Sequence, residues 1–170
     1  IKKVSPYGER LIEKQKLKNF YYNMNETTTK RYYALAKKKT YIQKKNTFDN
    51  YLIALLETRL DIILYRSKLC ETILAARLII SHGHVRINNT IIHQKSYQVK
   101  QYDVITINYQ KNQLQYYTNY IQNNSNGLEI PTYLEVNYKL LKCILIDKPT
   151  LSSIDYPINI DFEKIRELYK

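Results

Sequence analysis

Glycine is scarce in this sequence of 170 residues, which has only Gly8, Gly83 and Gly127. Because these three lie far apart, they form no glycine-rich loop that could hold the phosphates of a nucleotide. Cysteine is scarcer still, and Cys70 and Cys143 lack the close spacing of a zinc site or a disulfide framework. We therefore expect two reduced thiols, no metal site and no cofactor.

Long hydrophobic runs are also absent. The longest, ILAARLII, is interrupted by Arg77 and is far too short to cross a bilayer. No signal-peptide pattern is visible, although the chain begins at Ile1, so a preceding targeting segment stays an open alternative. We expect no membrane partner.

Acidic residues are few in the first two thirds of the chain, and the formal net charge is +12. Residues 1–57 carry 13 basic and 5 acidic side chains, residues 58–122 carry 8 and 3, and residues 123–170 carry 6 and 7. A charge of this size favours a polyanionic partner, most often nucleic acid and less often an anionic membrane. Its uneven distribution predicts that the first two thirds of the chain face that partner.

Residues 1–57 have the pattern of a small, basic, all-helical unit. Ser5 and Pro6 fit an N-cap and the first residue of a helix, and a second helix is predicted over residues 25–39. A third helix, capped by Thr47, is predicted because apolar side chains recur with helical spacing at Phe48, Tyr51, Leu52, Leu55 and Leu56.

The residue pattern in the remainder of the chain predicts two short helices followed by strands, which together give an α+β fold. RLDIILYRS is the first of these helices; Thr72 can cap the second, which Gly83 ends in a left-handed position. HVRIN, IIHQKSYQV and DVITINY read as strands, with Asn88-Asn89 as a turn. Residues 110–127 fit either a polar helix or a linker, residues 131–145 alternate like a strand, and FEKIRELYK fits a closing helix or an extended tail.

The turn RLIISHGHVRINN brings His82, His84 and Arg86 close to Arg77 in sequence. A zinc site would need two more ligands, but the cysteines are remote and His93 is isolated. Nucleophilic catalysis would need a nucleophile, a base and an orienting acid, and no such set is evident, so we expect no enzyme. The remaining interpretation is a surface that donates hydrogen bonds to phosphates and bases.

Other basic side chains extend that surface if they share its face: Arg59, Arg66 and Lys95. Tyr97, and Tyr7 in the first helix, could stack on bases. The plainer alternatives are core or surface filling for any one tyrosine, and a solvated helix end for Lys37–Lys39.

The run from Arg59 to Ile105 resembles the RNA-binding domain named after small-subunit ribosomal protein four, the S-four domain. The shared residues, in order, are Arg59-Leu60-Asp61, Arg66, Thr72, Ala76-Arg77, Leu78-Ile79, His82-Gly83, Val85, Asn88, Ser96-Tyr97, Val99 and Asp103-Val104-Ile105. SPYGERLIEKQKLKNFYY, FDNYLIALLETRLD, IPTYLEV and INIDFEKIRELYK resemble the flanks of this domain in the ribosomal protein family itself. The resemblance lacks only the family's most N-terminal segment, which in some members carries a cysteine zinc site.

The resemblance implies an N-terminal helical domain (1–57) completed by a C-terminal segment (123–170), with the S-four domain (58–122) inserted between them. It implies a structural constituent of the small ribosomal subunit that binds the 5′ region of small-subunit rRNA early in assembly. The expected partners are this rRNA, neighbouring small-subunit proteins and, near the channel by which mRNA enters, mRNA; no small-molecule substrate is expected. Such RNA is recognised by shape and phosphate more than by base sequence.

Pattern and resemblance together select the residues expected to contact RNA. In the inserted domain they are Arg59, Arg66, Thr72, Arg77, His82, His84, Arg86, Lys95, Ser96 and Tyr97; in the first helix they are Tyr7, Arg10, Lys14, Lys16 and Lys18. Ile73 stands where the family usually has arginine, which puts one contact in doubt. Lys95 stands where proline is common and can partly offset that loss. We expect alanine at Arg59, Arg66 or Arg77 to weaken RNA binding without unfolding the chain.

Two alternatives carry the same domain: an RNA-modifying enzyme of the pseudouridine synthase type and a free-standing RNA-binding protein. RLD also occurs in the catalytic motif of pseudouridine synthases, but a Ser/Thr-Gly-Leu-rich run follows it there and IILYR follows it here. Tyr, Asn, Ile and Lys, all with A/T-rich codons, are abundant, which favours an organellar ribosome, plastid first and mitochondrion second. An A/T-rich bacterium is the further alternative.

Overall fold

The structure is a computed structural model that describes residues 5–22, 24–44, 47–108, 119, 129–154, 156 and 158–169. The prediction for residues 110–127 thus lies outside the described residues, apart from Asn119. Helices and one small antiparallel sheet form the described chain, which confirms the α+β class. None of the helices in these ranges has the length and hydropathy needed to cross a membrane.

The elements follow one another in the order helices, strands and a last helix. The helices are α1 (Pro6–Phe20), α2 (Glu26–Gln43), α3 (Phe48–Glu57), α4 (Leu60–Arg66), α5 (Ile73–Ser81) and α6 (Phe162–Leu168). The strands are β1 (Val85–Ile87), β2 (Thr90–Ile91), β3 (Val104–Ile107), β4 (Leu134–Asn137) and β5 (Lys142–Leu145). Contacts divide the chain into two compact units, Ile1–Leu56 with Thr150–Lys170 and Glu57–Pro149.

The first unit is helical, as its sequence predicts. Ser5 Oγ accepts a hydrogen bond from the Gly8 amide at 3.2 Å, and Pro6 is the first residue of α1. The C-terminal segment ends in α6, which packs against α1, so the helix is correct and the extended tail is not. Glu13 joins the two, because its Oε2 accepts the Asp161 amide at 3.0 Å. The buried apolar side chains include Leu17, Tyr21, Tyr32, Leu52, Ile53 and Ile165.

The helices of the second unit begin and end at the predicted residues. Thr72 caps α5, since its Oγ1 accepts the Ala75 amide at 3.0 Å. Gly83 follows the helix with a φ of +75°, the left-handed conformation expected of it. Asn88 and Asn89 also have positive φ and turn the chain from β1 into β2.

The sheet has the strand order β2-β1-β3-β5-β4, with every pair antiparallel. Its last two strands correct the expected division of the chain. Residues 123–170 do not act as one segment returning to the helical domain, because β5 pairs with β3 and buries Cys143 and Leu145 within the second unit. The chain rejoins the first unit only at Thr150.

The strand predicted over residues 91–99 is wrong beyond Ile91. The backbone of this segment serves the start of α4 instead of a sheet. The carbonyl of Tyr97 accepts the Leu60 amide at 3.0 Å, that of Lys95 accepts the Asp61 amide at 3.2 Å, and the Val99 amide donates to the carbonyl of Thr58 at 2.9 Å.

Replacement of Gly83 tests whether its left-handed backbone matters for stability. Gly83→Ala should lower the free energy of unfolding by about 1–2 kcal/mol, because alanine has a Cβ that disfavours this conformation. Gly83→Asn should cost less, since asparagine tolerates positive φ. Both changes place a Cβ about 2.8 Å from Cε1 of His93, so that contact cancels in the comparison. Urea unfolding measures both, and equal losses would contradict the explanation.

Candidate nucleic-acid interface

A buried carboxylate, that of Asp61, organises the basic residues of the second unit. Asp61 is completely buried and accepts hydrogen bonds from Arg59, Nε at 3.0 Å and Nη2 at 2.8 Å, and from Nε of Arg77 at 2.9 Å. Arg59 itself is only 3% exposed. Two guanidinium groups therefore compensate one buried charge, which would otherwise cost several kcal/mol.

A second buried carboxylate, that of Glu57, holds Arg66. The two form a bidentate pair, Nε to Oε2 at 3.0 Å and Nη2 to Oε1 at 2.9 Å, and the Tyr133 hydroxyl donates to Oε2 at 2.9 Å. Tyr133 lies just before β4, so the pair also fixes the path of the chain into that strand. Most of the bonding capacity of this carboxylate is thereby satisfied.

These two clusters correct one expectation about the arginines. Arg59, Arg66 and Arg77 do not form an open cationic face, because each has a buried carboxylate partner. Substituting any of them with alanine leaves a buried carboxylate short of a donor, so such a change should destabilise the chain rather than leave it folded. The side chains of Arg66 and Arg77 are 14% and 16% exposed, whereas that of Arg59 is only 3% exposed.

A groove of about 670 Å³ runs along the outer face of α5. Two exposed leucines, Leu74 at 52% and Leu78 at 58%, form its apolar floor. Its polar rim includes three of the predicted residues, Thr72, Arg77 and Lys95. These exposed leucines could not be predicted from the sequence, because in a helix of mostly apolar residues periodicity does not separate exposed leucines from the buried core. Ile73, by contrast, is buried in the core.

The turn after α5 places the two histidines on its surface. His82 is exposed, His84 is half-buried, and their rings lie 6.2 Å apart. The backbone of His84 is held on both sides, since its amide donates to Ile79 and its carbonyl accepts from Asn108. Arg86 follows in β1, half-buried; its Nε is buried without a hydrogen-bond partner among the described residues.

The segment 95–97 lies at the start of α4, as its backbone hydrogen bonds require. Lys95 is exposed, whereas Ser96 and Tyr97 are half-buried. Ser96 Oγ accepts from Nε2 of Gln94 at 3.3 Å. Lys95 is therefore the predicted contact of this segment that the structure leaves most accessible.

The predicted residues of α1 are mostly paired with acids inside the first unit. Arg10 pairs with Glu167 at 2.9 Å, and Lys16 pairs with Glu13 at 2.6 Å. Tyr7 differs, because its ring is 64% exposed. The sequence alone did not show these pairs, since each acid except Glu13 comes from another helix.

Glu26 is the centre of the largest of these clusters. Its oxygens accept hydrogen bonds at 3.0 Å from Nζ of Lys14, Nζ of Lys18 and the hydroxyl of Tyr169. Burial alone raises the pKa of Glu26. The hydrogen bonds from the two lysines and the tyrosine outweigh that effect and bring the pKa down to about 2.

In the described ranges the cysteines and histidines form neither a disulfide nor a metal site. Burial raises the pKa of both Cys70 and Cys143 to about 12, so both thiols stay protonated. Neither forms a disulfide. No three metal-ligating side chains come together in the part of the chain that the structure describes.

Comparison with known proteins finds family matches in both units of the chain. Residues 1–57 match the family model described as the ribosomal protein S4/S9 N-terminal domain. Residues 58–105 match the model described as the S4 domain, which is the S-four domain that the sequence resembles. Small ribosomal subunit protein uS4 of Methylorubrum populi is 35% identical over 167 residues, which cover 98% of this chain and 78% of that protein. The chain belongs to the uS4 family.

Other uS4 relatives come from bacteria and from a mitochondrion. The uS4 protein of Paracoccus denitrificans is 36% identical over 170 residues, covering 98% of this chain and 78% of the relative. The uS4m protein of Reclinomonas americana is 39% identical over 170 residues, covering 96% of this chain and 65% of the relative. The uS4 similarity thus extends through both units, as the sequence resemblance implied.

Removal of one buried arginine should destabilise the chain strongly. Arg59→Ala leaves Asp61 with a single guanidinium partner, and breaking a buried pair typically costs about 3–5 kcal/mol. Lys95→Ala, at an exposed cation of the same unit, should change stability by no more than about 0.5 kcal/mol. Urea unfolding followed by circular dichroism measures both. Similar losses for the two variants would contradict the buried-pair interpretation.

The Glu26 cluster should make stability depend on pH. Because the pKa in the folded state is depressed from 4.5 to about 2, the stabilisation is complete above pH 4.5 and disappears as the pH falls toward 2. The difference in unfolding free energy between the wild type and Glu26→Gln should therefore be largest near neutral pH and shrink below pH 4.5. Glu71→Gln, at an exposed acid, is the control; a Glu26→Gln difference that persisted unchanged at pH 2 would exclude the effect.

Proposed function

We propose that this chain is a structural constituent of the small ribosomal subunit that binds small-subunit rRNA. The observation that carries the proposal is its membership of the uS4 family across both units. The net charge of +12 supports an RNA partner independently of that membership. Neighbouring small-subunit proteins are the further partners.

The rRNA contacts that we propose come from the residues on accessible surface. In the second unit these are the groove beside α5 and the turn after it, with Thr72, Arg77, His82, His84 and Lys95. Arg86, Ser96 and Tyr97 lie nearby in sequence and are partly accessible. In the first unit Tyr7 and the outer surface of α1 are the proposed contacts. Arg59 supports this surface from inside, whereas Arg66, like Arg77, keeps a small exposed part beside its ion pair.

The finer features of the role are proposals from the family resemblance. They are binding to the 5′ region of the rRNA, early entry into assembly and a position near the channel by which mRNA enters. We also propose an organellar ribosome. The sequence favours a plastid first and a mitochondrion second, and the similarity to the uS4m protein of Reclinomonas americana supports an organelle.

The enzyme alternative finds no support at the residue that suggested it. Asp61 of the RLD run is completely buried and accepts hydrogen bonds from two guanidinium groups. A carboxylate held in this way has no access to an RNA base. Assay of the purified chain for conversion of uridine to pseudouridine tests the alternative directly, and conversion would overturn the ribosomal proposal.

Salt dependence of binding tests the accessible surface. Lys95→Gln should weaken binding to small-subunit rRNA and flatten the slope of log K against log salt by roughly 0.7–0.9, the contribution of one phosphate contact. Lys148→Gln removes an exposed charge of the same unit that does not line the groove beside α5, and it should leave the slope almost unchanged. Filter binding over a salt series measures both; equal slopes for Lys95→Gln and the wild type would exclude the proposed contact. The wild-type chain should also co-sediment with small subunits and dissociate at high salt.

A further inference from the structure

A groove in the first unit has aromatic walls. Its volume is about 710 Å³, within the roughly 300–1,000 Å³ typical of sites for small ligands. The ring of Tyr33 stacks on that of Tyr169, with centroids 4.2 Å apart, and lies 5.4 Å from that of Phe48. Tyr41 also lines the groove and is 83% exposed. An incoming planar group would therefore meet at least one accessible ring face.

Cations surround these rings. Lys30 and Lys37 lie on α2, Arg166 lies on α6, and no acid is among the described residues that line the groove. Glu163 reaches Arg166 only at 3.4 Å and from an exposed position, so that pair is weak. Aromatic faces beside ammonium and guanidinium groups match a nucleotide, whose base stacks while its phosphate is neutralised.

One wall of the groove carries a polar group without a partner. Tyr33 is 5% exposed, and its hydroxyl has no hydrogen-bond partner within the described chain. Buried polar groups in native structures are nearly always paired. The edge of a nucleobase offers both donors and acceptors, and it could pair with the Tyr33 hydroxyl once a shift of the ring exposes that group.

We propose that this groove binds a single unstacked nucleobase of RNA, with the flanking phosphates on Lys30, Lys37 and Arg166. The inference rests on the proposed rRNA-binding function and adds to it a base-binding site in the helical unit, remote in sequence from the residues that resemble the S-four motif. A side chain of a neighbouring protein is the competing occupant. The basic rim with no acid favours the polyanion.

A fluorescent RNA tests the groove in the intact chain. The probe is a single-stranded RNA of twelve nucleotides, all uridine except one central 2-aminopurine, whose fluorescence falls when it stacks on an aromatic ring. The wild type should quench the probe. Tyr41→Ala should lose the quenching and bind the probe roughly 5-fold or more weakly, as expected for loss of one stacked base.

Matched variants separate the groove from general charge effects. Lys37→Gln should weaken probe binding and reduce quenching, whereas Lys38→Gln, the same charge change at the next residue, should keep full quenching because Lys38 does not line the groove. Tyr102→Ala, at an exposed tyrosine of the second unit, is the control for Tyr41→Ala.

Tyr33→Phe tests the unpartnered hydroxyl without removing the ring. It should leave the stability of the chain unchanged or raise it, because a buried hydroxyl without a partner is removed. It should nevertheless weaken probe binding. A loss of stability without a change in probe binding would show that the hydroxyl serves the fold and would contradict its part in the site.

The outcomes distinguish this inference from the function on which it rests. If Tyr41→Ala, Lys37→Gln and Tyr33→Phe all bind and quench the probe like the wild type, the groove proposal is overturned, even where rRNA binding is intact. If the wild type fails to bind small-subunit rRNA, the proposed function fails, while the probe still tests the groove. Cross-linking of purified subunits that joined Tyr41 to another protein instead of RNA would also overturn the base site.

Discussion

The second unit depends on the burial of one charge. A carboxylate such as that of Asp61 cannot be removed from water without compensation, and the compensation comes from two arginines distant in sequence from each other. Arg59 precedes α4 and Arg77 belongs to α5, so one ion cluster joins both helices. The backbone of Asp61 also binds the carbonyl of Lys95. The groove beside α5 thus has a floor, a rim and a fixed shape because this cluster forms.

This cluster changes what the motif means. The run RLD, the arginine seven residues later and the Ala-Arg of α5 mark the domain in sequence, yet in the structure they form the internal ion pairs of Asp61 and Glu57. These motif residues therefore indicate the fold of the domain more than they indicate its ligand. Contact with RNA would then depend on exposed positions such as Lys95, His82 and Tyr7, where a side chain can be exchanged without disturbing the core.

The sequence predicted the local features of the fold because their causes are local. Ser5, Thr72 and Gly83 act on neighbours within one helical turn, so caps and stops could be read directly. The pairing of Arg66 with Glu57 and Tyr133, and the addition of β4 and β5 to the sheet, depend on contacts between distant residues. Charge composition indicated the polyanion correctly in kind but did not separate cations that face solvent from cations that neutralise buried acids.

The segment that follows the hairpin is held to α4 through carbonyl groups. Lys95 accepts a hydrogen bond through its carbonyl, and its own amide makes none with the described residues. Proline, which has no amide hydrogen, would therefore remove no main-chain hydrogen bond at this position. Position 95 can therefore exchange a rigid ring for a mobile charge without loss of a main-chain hydrogen bond. If Lys95 contacts rRNA as proposed, a change at this position would alter the charge available to RNA and leave the main-chain hydrogen bonds of the fold intact.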